Sequence, residues 1–285
     1  MLTIFPEKVS TQVLQQYLQG SIAPRPVAFA STVDAQGNVN LSPFSFFNVF
    51  GTNPPTLVFS PSRRGRDGST KDTLENVLEV AEVVINIVDY SMVEQMSLAS
   101  CEYEKGVNEF VKAGFTEVKS LKVTPPRVGE SKACFECKVQ QVIEMGKEGG
   151  AANLVICEVL VAHFSPDILN EAGMIDQQKT DWIARLGGDW YLRASGDCLF
   201  EVPKPNRNQG VGVDAIPEFI RTNPAFSGNE LGRLGNIEKI PDQETITNYL
   251  TSENPVLHVD TIKNLLAEKK VAAAWMVLLS LNQKK

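Results

Sequence analysis

What most constrains this chain is a series of strand-length apolar stretches that arrive in pairs around short turns. Residues 26–33 read as a strand, Asp34, Gly37 and Asn38 supply turn chemistry, and residues 39–42 begin a second strand. Together they make a β-hairpin with a slightly long loop. Residues 56–60 form a strand introduced by Asn53-Pro54-Pro55, and residues 83–88 form another. Residues 134–144 alternate, residues 152–162 are longer and mostly apolar, and the glycine-rich 146–150 stretch joins them as a further hairpin. That is at least six strands with few helices between them, and no regular strand–helix–strand alternation. The expected architecture is mainly β with helices, an antiparallel barrel with helical decorations.

Helical periodicity fills the gaps. Ser10 can cap an opening helix with Val13, Leu14, Tyr17 and Leu18 on one face. Residues 72–80 read as a helix with Leu74, Val77 and Leu78 inward, and Ser91-Met92-Val93-Glu94 has the capping-box pattern. Near Cys198 the character shifts. Residues 203–208 are linker-like, and helical segments follow around 214–221, at 242–250 and, as one long helix, from 260 to about 281. Residues 1–200 are therefore expected to form the barrel domain and 201–285 a mainly helical C-terminal extension.

The 285 residues carry a formal net charge of −7, which argues against a nucleic-acid binder. The longest apolar run, 271–279, is too short to cross a bilayer, so no membrane role is expected. The five cysteines are scattered and odd in number, and no signal peptide is visible. A reducing, cytoplasmic home without disulfides is the expectation.

Two segments could carry chemistry. In the first, Arg63, Arg64, Gly65, Arg66, Gly68, Ser69, Thr70 and Lys71 stand just before the helix that starts near Asp72 and Thr73. A helix N-terminus offers unpaired N–H groups and the positive end of a dipole, so this junction is a natural anion site. Lys71 adds a point charge, Arg64 can close over a phosphate, and Ser69, Thr70 and Thr73 add donors. The plainer reading is a solvated basic loop in which Asp72 or Thr73 caps the helix. In the second, Asn40-Leu41-Ser42-Pro43-Phe44-Ser45-Phe46-Phe47-Asn48 sets small polar residues beside aromatics in a strand running into an irregular loop. Such a stretch can line a flat heteroaromatic ring, although each Phe taken alone reads as ordinary core.

Other candidates are weaker. Cys134 and Cys137 have redox-pair spacing but lie in a strand, where positions three apart face opposite sides. With two histidines, His163 and His258, no zinc or other metal site is expected. His163, at a strand end, reads as structural. Gly210, Gly212 and Ala215 mimic a dinucleotide fingerprint but follow a linker instead of a strand. Arg185-Leu186-Gly187-Gly188, with Trp182, Trp190 and Tyr191 nearby, forms either a cationic aromatic wall or a packed aromatic loop.

Read in order, several of these stretches resemble the flavin reductase-like family, the FMN-binding split barrels. They are residues 25–34, Gly37, residues 40–47, Lys71-Asp72-Thr73, Asn76, residues 84–87, Asn108-Glu109-Phe110, Ala113-Gly114-Phe115, and Arg185 to Gly188 with Tyr191. The resemblance implies an antiparallel, Greek-key split β-barrel that dimerises with itself and holds flavin mononucleotide (FMN) at or near the subunit interface. On this sequence it implies that Ser31, Thr32, Ser42, Pro43, Ser45, Phe46 and Phe47 contact the flavin ring and ribityl chain. Ser60, Arg64, Lys71 and Thr73 would hold the phosphate, and Arg185 would sit close to the cofactor.

The implied activity is that of an oxidoreductase in which NADH or NADPH reduces the flavin. The chain would then be a flavin reductase or the reductase component of a two-component oxygenase. It needs no protein nucleophile and no indispensable general acid. The alternative is a non-enzymatic FMN-binding electron carrier fed by a redox protein, and a third possibility is an oxidase resembling the pyridoxamine phosphate oxidases.

Overall fold

The computed structural model describes residues 1–203 and 209–281. Lys204 to Asn208, most of the expected linker, lie outside the described residues. By its internal contacts the chain divides into two compact units, Met1–Phe200 and Glu201–Lys285.

The first unit opens with α1 (Thr11–Ser21), capped as expected by Ser10, whose Oγ accepts from the Val13 amide at 3.3 Å. Then come β1 (Arg25–Pro26), β2 (Ala28–Val33), β3 (Val39–Phe44), β4 (Phe47–Thr52) and β5 (Pro55–Phe59). Next are α2 (Asp72–Glu79), β6 (Glu82–Ile87), α3 (Val93–Leu98) and α4 (Glu109–Ala113). The unit closes with β7 (Glu117–Val118), β8 (Arg127–Val128), β9 (Ala133–Glu144), β10 (Asn153–Phe164), β11 (Trp182–Arg185) and β12 (Tyr191–Ala194).

Seven strands form one antiparallel sheet in the order β3-β2-β6-β9-β10-β5-β4. Its two edges, β3 and β4, are consecutive in the chain and joined by Ser45 and Phe46 alone. The sheet must therefore curl until its edges meet, with no ladder between them. This is the split antiparallel barrel, and the split falls at the Phe-Ser segment. A smaller antiparallel sheet, β1-β11-β12, is separate from it.

Core packs on both sides of β2. Ala28 and Ala30 join a cluster with Phe59, Leu74, Val77 and Ile85, while Phe29 joins another with Leu41, Met96 and Phe110. Every residue of β2 is buried, so the strand is buried on both faces rather than alternating.

The structure differs from sequence expectation in several places. The irregular loop expected at the end of the 40–48 stretch is instead a second strand, Phe47–Thr52. The helix near Ser91 is not opened by a Ser91 capping box: Asp89 accepts from the Ser91 amide, capping a short turn that runs into α3. Neither Asp72 nor Thr73 caps α2, whose N-cap is Lys71 with no side-chain cap bond. On α1, Val13, Tyr17 and Leu18 are exposed instead of packed within the chain.

The second unit holds α5 (Glu218–Arg221), α6 (Gly228–Gly235), α7 (Gln243–Glu253), α8 (Val259–Ala267) and α9 (Val271–Leu281), packed around Trp275, Ile262, Leu266 and Leu234. The long helix expected from residue 260 is broken. Lys269 takes a left-handed φ of 62°, its amide donates to Leu266 O at 3.2 Å, and the Lys270 amide donates to Leu265 O at 2.8 Å. This is a Schellman turn made without glycine.

Candidate functional site

The loop between β5 and α2 is held from below. The Ser60 amide donates to Phe46 O at 2.9 Å, and Ser60 Oγ accepts from the Asn153 amide at 3.2 Å. The Arg63 amide donates to Ala151 O at 2.9 Å, and the Arg63 guanidinium pairs with Glu144 at 2.8 Å. A Cβ at Gly149 would come within 2.7 Å of Gly65 O, so the β9–β10 turn touches this loop backbone to backbone.

On this base the loop presents its cations. Arg64 donates to Ser69 Oγ at 3.3 Å and to Thr70 O, and its Nε lies 3.4 Å from Glu102. Arg66 reaches the same carboxylate at 3.2 Å. Lys71 stands at the mouth of α2 with its Nζ 5.1 Å from the Phe44 ring centroid and forms no ion pair among the described residues. Burial first, then repulsion from Arg64, pull its pKa below the ordinary lysine value.

The hydroxyls expected as ligand donors are already committed. Ser69 donates to Asp67 at 2.5 Å, Thr70 to Glu75 at 2.7 Å and Thr73 to Asn40 at 2.7 Å. Asn40 in turn donates to Glu109 at 3.0 Å, and the Leu41 amide donates to the same carboxylate at 2.9 Å. This buried network ties β3 to α2 and α4. Burial raises the Glu109 pKa against these stabilising bonds.

Three cavities share this lining. One of about 370 Å³ is bordered by Pro43, Ser45, Phe46, Ser60, Arg64 and Lys71, with Ser62 and Glu102. One of about 80 Å³ is bordered by Ser42, Arg64, Lys71 and Thr73. A third, about 330 Å³, is bordered by Pro43, Ser45, Ser97, Arg185, Asp189 and Tyr191. Ser45 and Pro43 belong to the largest and the third of these, so the barrel's split connects a cationic end to an end walled by Met96, Tyr191 and Arg185.

Nine of the residues singled out in the sequence thus border one set of cavities: Ser42, Pro43, Ser45, Phe46, Ser60, Arg64, Lys71, Thr73 and Arg185. The other three do not. Ser31 and Thr32 are fully buried in β2, where Thr32 bonds Asn40 and Asn76 and Ser31 Oγ has no hydrogen-bond partner among the described residues, and neither borders these cavities. Phe47 packs against the barrel core. Ser62 was missed. Ser62 Oγ is buried without a partner at the wall of the largest of the three cavities. Its place beside the Arg63-Arg64 pair was the available signal. His163 is structural, bonded to the buried Glu136 at 2.8 Å.

A split antiparallel barrel whose seam carries a cationic pocket at a helix mouth defines the class: a barrel that can hold a phosphorylated ligand at its seam. The chain matches the flavin reductase like domain over residues 20–182 and belongs to that family. It is 37% identical over 189 residues to an uncharacterized protein of Aquifex aeolicus, covering 66% of this chain and 94% of that one. Among solved structures it is similar to nitrilotriacetate monooxygenase component B from Bacillus cereus, with a TM-score of 0.65, 30% identity, and coverage of 72% of this chain and 98% of that one. It is also similar to 2-nitrobenzoate 2-nitroreductase of Pseudomonas fluorescens, with a TM-score of 0.62, 27% identity, and coverage of 71% and 96%. No helix among the described residues is long and apolar enough to cross a membrane.

Proposed function

We propose that the barrel unit binds FMN non-covalently and serves as an NAD(P)H-dependent flavin reductase, alone or as the reductase component of a two-component oxygenase. The observation that carries this reading is Lys71, a cation in a cavity at a helix mouth that no side chain caps, which forms no ion pair among the described residues although Glu102 borders the same cavity. The residues present suit a phosphorylated flavin. Lys71, Arg64 and the unpartnered Ser62 hydroxyl would hold the phosphate, while Ser45, Pro43 and Phe46 would flank the ring.

Bound FMN would supply hydride acceptance and electron transfer. The protein's own part is positional. Glu144 and the Gly149 turn fix the loop that aims Arg64. The Asn40–Thr73–Glu109 network fixes the start of α2. Pro43 and Ser45 border the passage between the two larger cavities. No side chain needs to move a proton at a reacting atom.

The similarity to a monooxygenase component supports the two-component version. The exposed Val13, Tyr17, Leu18, Val49 and Phe50 support a homodimer, because apolar side chains left open on the barrel unit suit burial against a second copy. A cytoplasmic setting would supply the nicotinamide nucleotide.

The test is stopped-flow reduction of the FMN-loaded protein by NADH and by NADPH. Rapid bleaching of the flavin band with either is expected. Slow bleaching with both, against fast reduction by a ferredoxin-type donor, would replace the enzyme with an electron carrier. Light scattering should give twice the 31.3 kDa chain mass.

A further inference from the structure

Arg25 is 7% exposed, yet no carboxylate among the described residues pairs with it. Its guanidinium donates to three backbone carbonyls, Gln19 and Ile22 at 2.6 Å each and Leu186 at 2.8 Å, and lies 3.5 Å from Ser45 Oγ. Two of those carbonyls belong to the C-terminal end of α1, whose dipole offsets part of the charge. A whole positive charge in a nearly dry place remains, because a guanidinium does not give up its proton.

The residue directly opposite Arg25 in the β1–β11 ladder is Arg185. Side chains at such a position share a face, and like charges there repel. Arg185 rests on the Tyr191 ring, 4.6 Å from its centroid, and likewise has no ion pair among the described residues. It borders the 330 Å³ cavity together with Ser45. Asp189 borders that cavity too without pairing with either arginine. Repulsion from Arg185 adds to burial in lowering the Arg25 pKa. A repulsive pair lowers stability in the unbound chain and is relieved when an anionic group binds beside it, a cost of the kind that functional sites carry.

We propose that Arg25 and Arg185 form an uncompensated cation pair beside Ser45 that binds reduced flavin more tightly than oxidised flavin. This rests on the FMN reading above. Two electrons and one proton convert neutral oxidised flavin into a ring with one negative charge. The positive potential of the pair favours that form and raises the midpoint potential of the bound couple. Arg185 is a lining residue, whereas Arg25 acts through its field and through Ser45 as a positioning residue.

The test compares wild type, Arg185→Gln and Arg25→Lys, each loaded with FMN. It reads oxidised FMN affinity by fluorescence titration and midpoint potential by dye equilibration. Arg185→Gln should hold oxidised FMN within about threefold of wild type and lose about tenfold in affinity for the reduced form, a fall of about 30 mV for a two-electron couple. Arg25→Lys keeps the charge and should keep the potential near wild type, even where loss of the carbonyl bonds lowers the melting temperature. In flavin-free protein at low salt, Arg185→Gln should melt higher than wild type, with the gain shrinking at high salt. Equal weakening of both redox forms, an unmoved potential, or a lower melting temperature for flavin-free Arg185→Gln would overturn the proposal. Failure of wild type to bind FMN appears in the first titration and overturns the flavin reading itself, taking the proposed occupant with it.

Discussion

The barrel unit and the helical unit bury different things. The barrel buries Arg25, Asn40, Thr73, Asn76, Asn86, Asp89, Glu109 and Glu136, most of them bonded into side-chain networks. The helical unit buries Ser280 alone of its polar side chains among the described residues, bonded to Met276 O at 2.6 Å. Its largest buried group, Trp275, uses its one donor on Leu234 O at 2.9 Å and otherwise fills apolar space. Buried polar groups cost free energy unless every one is satisfied, so a unit that holds many has them for geometry rather than for stability. The barrel is built to place charges, and the helical unit is built to pack.

The largest expected effect tests the packing side. Trp275→Ala should cost the helical unit about 3–5 kcal/mol, read by near-ultraviolet circular dichroism and melting. FMN affinity should stay within about twofold of wild type, because every assigned site residue lies in the barrel unit. A variant that loses flavin binding along with its helical unit would break the division of labour. Next comes the charge side. Lys71→Ala should weaken FMN binding by about 1.5–3 kcal/mol, roughly ten- to a hundredfold, with little change in melting temperature. Unchanged affinity in a fluorescence titration would remove the phosphate assignment.

What the sequence disclosed follows the same division. Hairpins were legible because alternation and turn residues are local signals, and so was the cationic junction before α2. What stayed hidden depends on partners from far along the chain. Ser31 and Thr32 sit in a strand that ordinary alternation would leave half open, but a second core closes over it. Ser91 carries the local pattern of a cap, yet Asp89 takes that role. Lys269 turns the chain where glycine would have announced it. In the sequence Arg25 stands out only within the family resemblance, since nothing near it shows that its ladder partner is another arginine.

A smaller effect sharpens the claim that the buried polar network serves geometry. Asn40→Ala strips partners from the Thr73 hydroxyl and the Glu109 carboxylate and should destabilise the barrel unit by about 1–3 kcal/mol. If the network positions the mouth of α2, FMN affinity should fall by several-fold as well, although Asn40 itself offers the phosphate no charge. A variant that melts lower but binds FMN like wild type would make the network scaffolding and nothing more.

The smallest effect is also the most diagnostic, because it gives opposite slopes for one residue. The Lys71 pKa is depressed in the folded chain, by burial first and by Arg64 second, so between that depressed value and the ordinary lysine value the unfolded chain holds more protons. Stability of the flavin-free barrel should therefore rise with pH through this window. FMN affinity should fall through the same window, by less than about tenfold, since the phosphate loses its charged partner as Lys71 becomes neutral. Lys71→Arg keeps its proton throughout and should flatten both slopes. Parallel slopes, or a decline in affinity that survives in Lys71→Arg, would place the titrating group elsewhere and detach the charge of Lys71 from the binding of the phosphate.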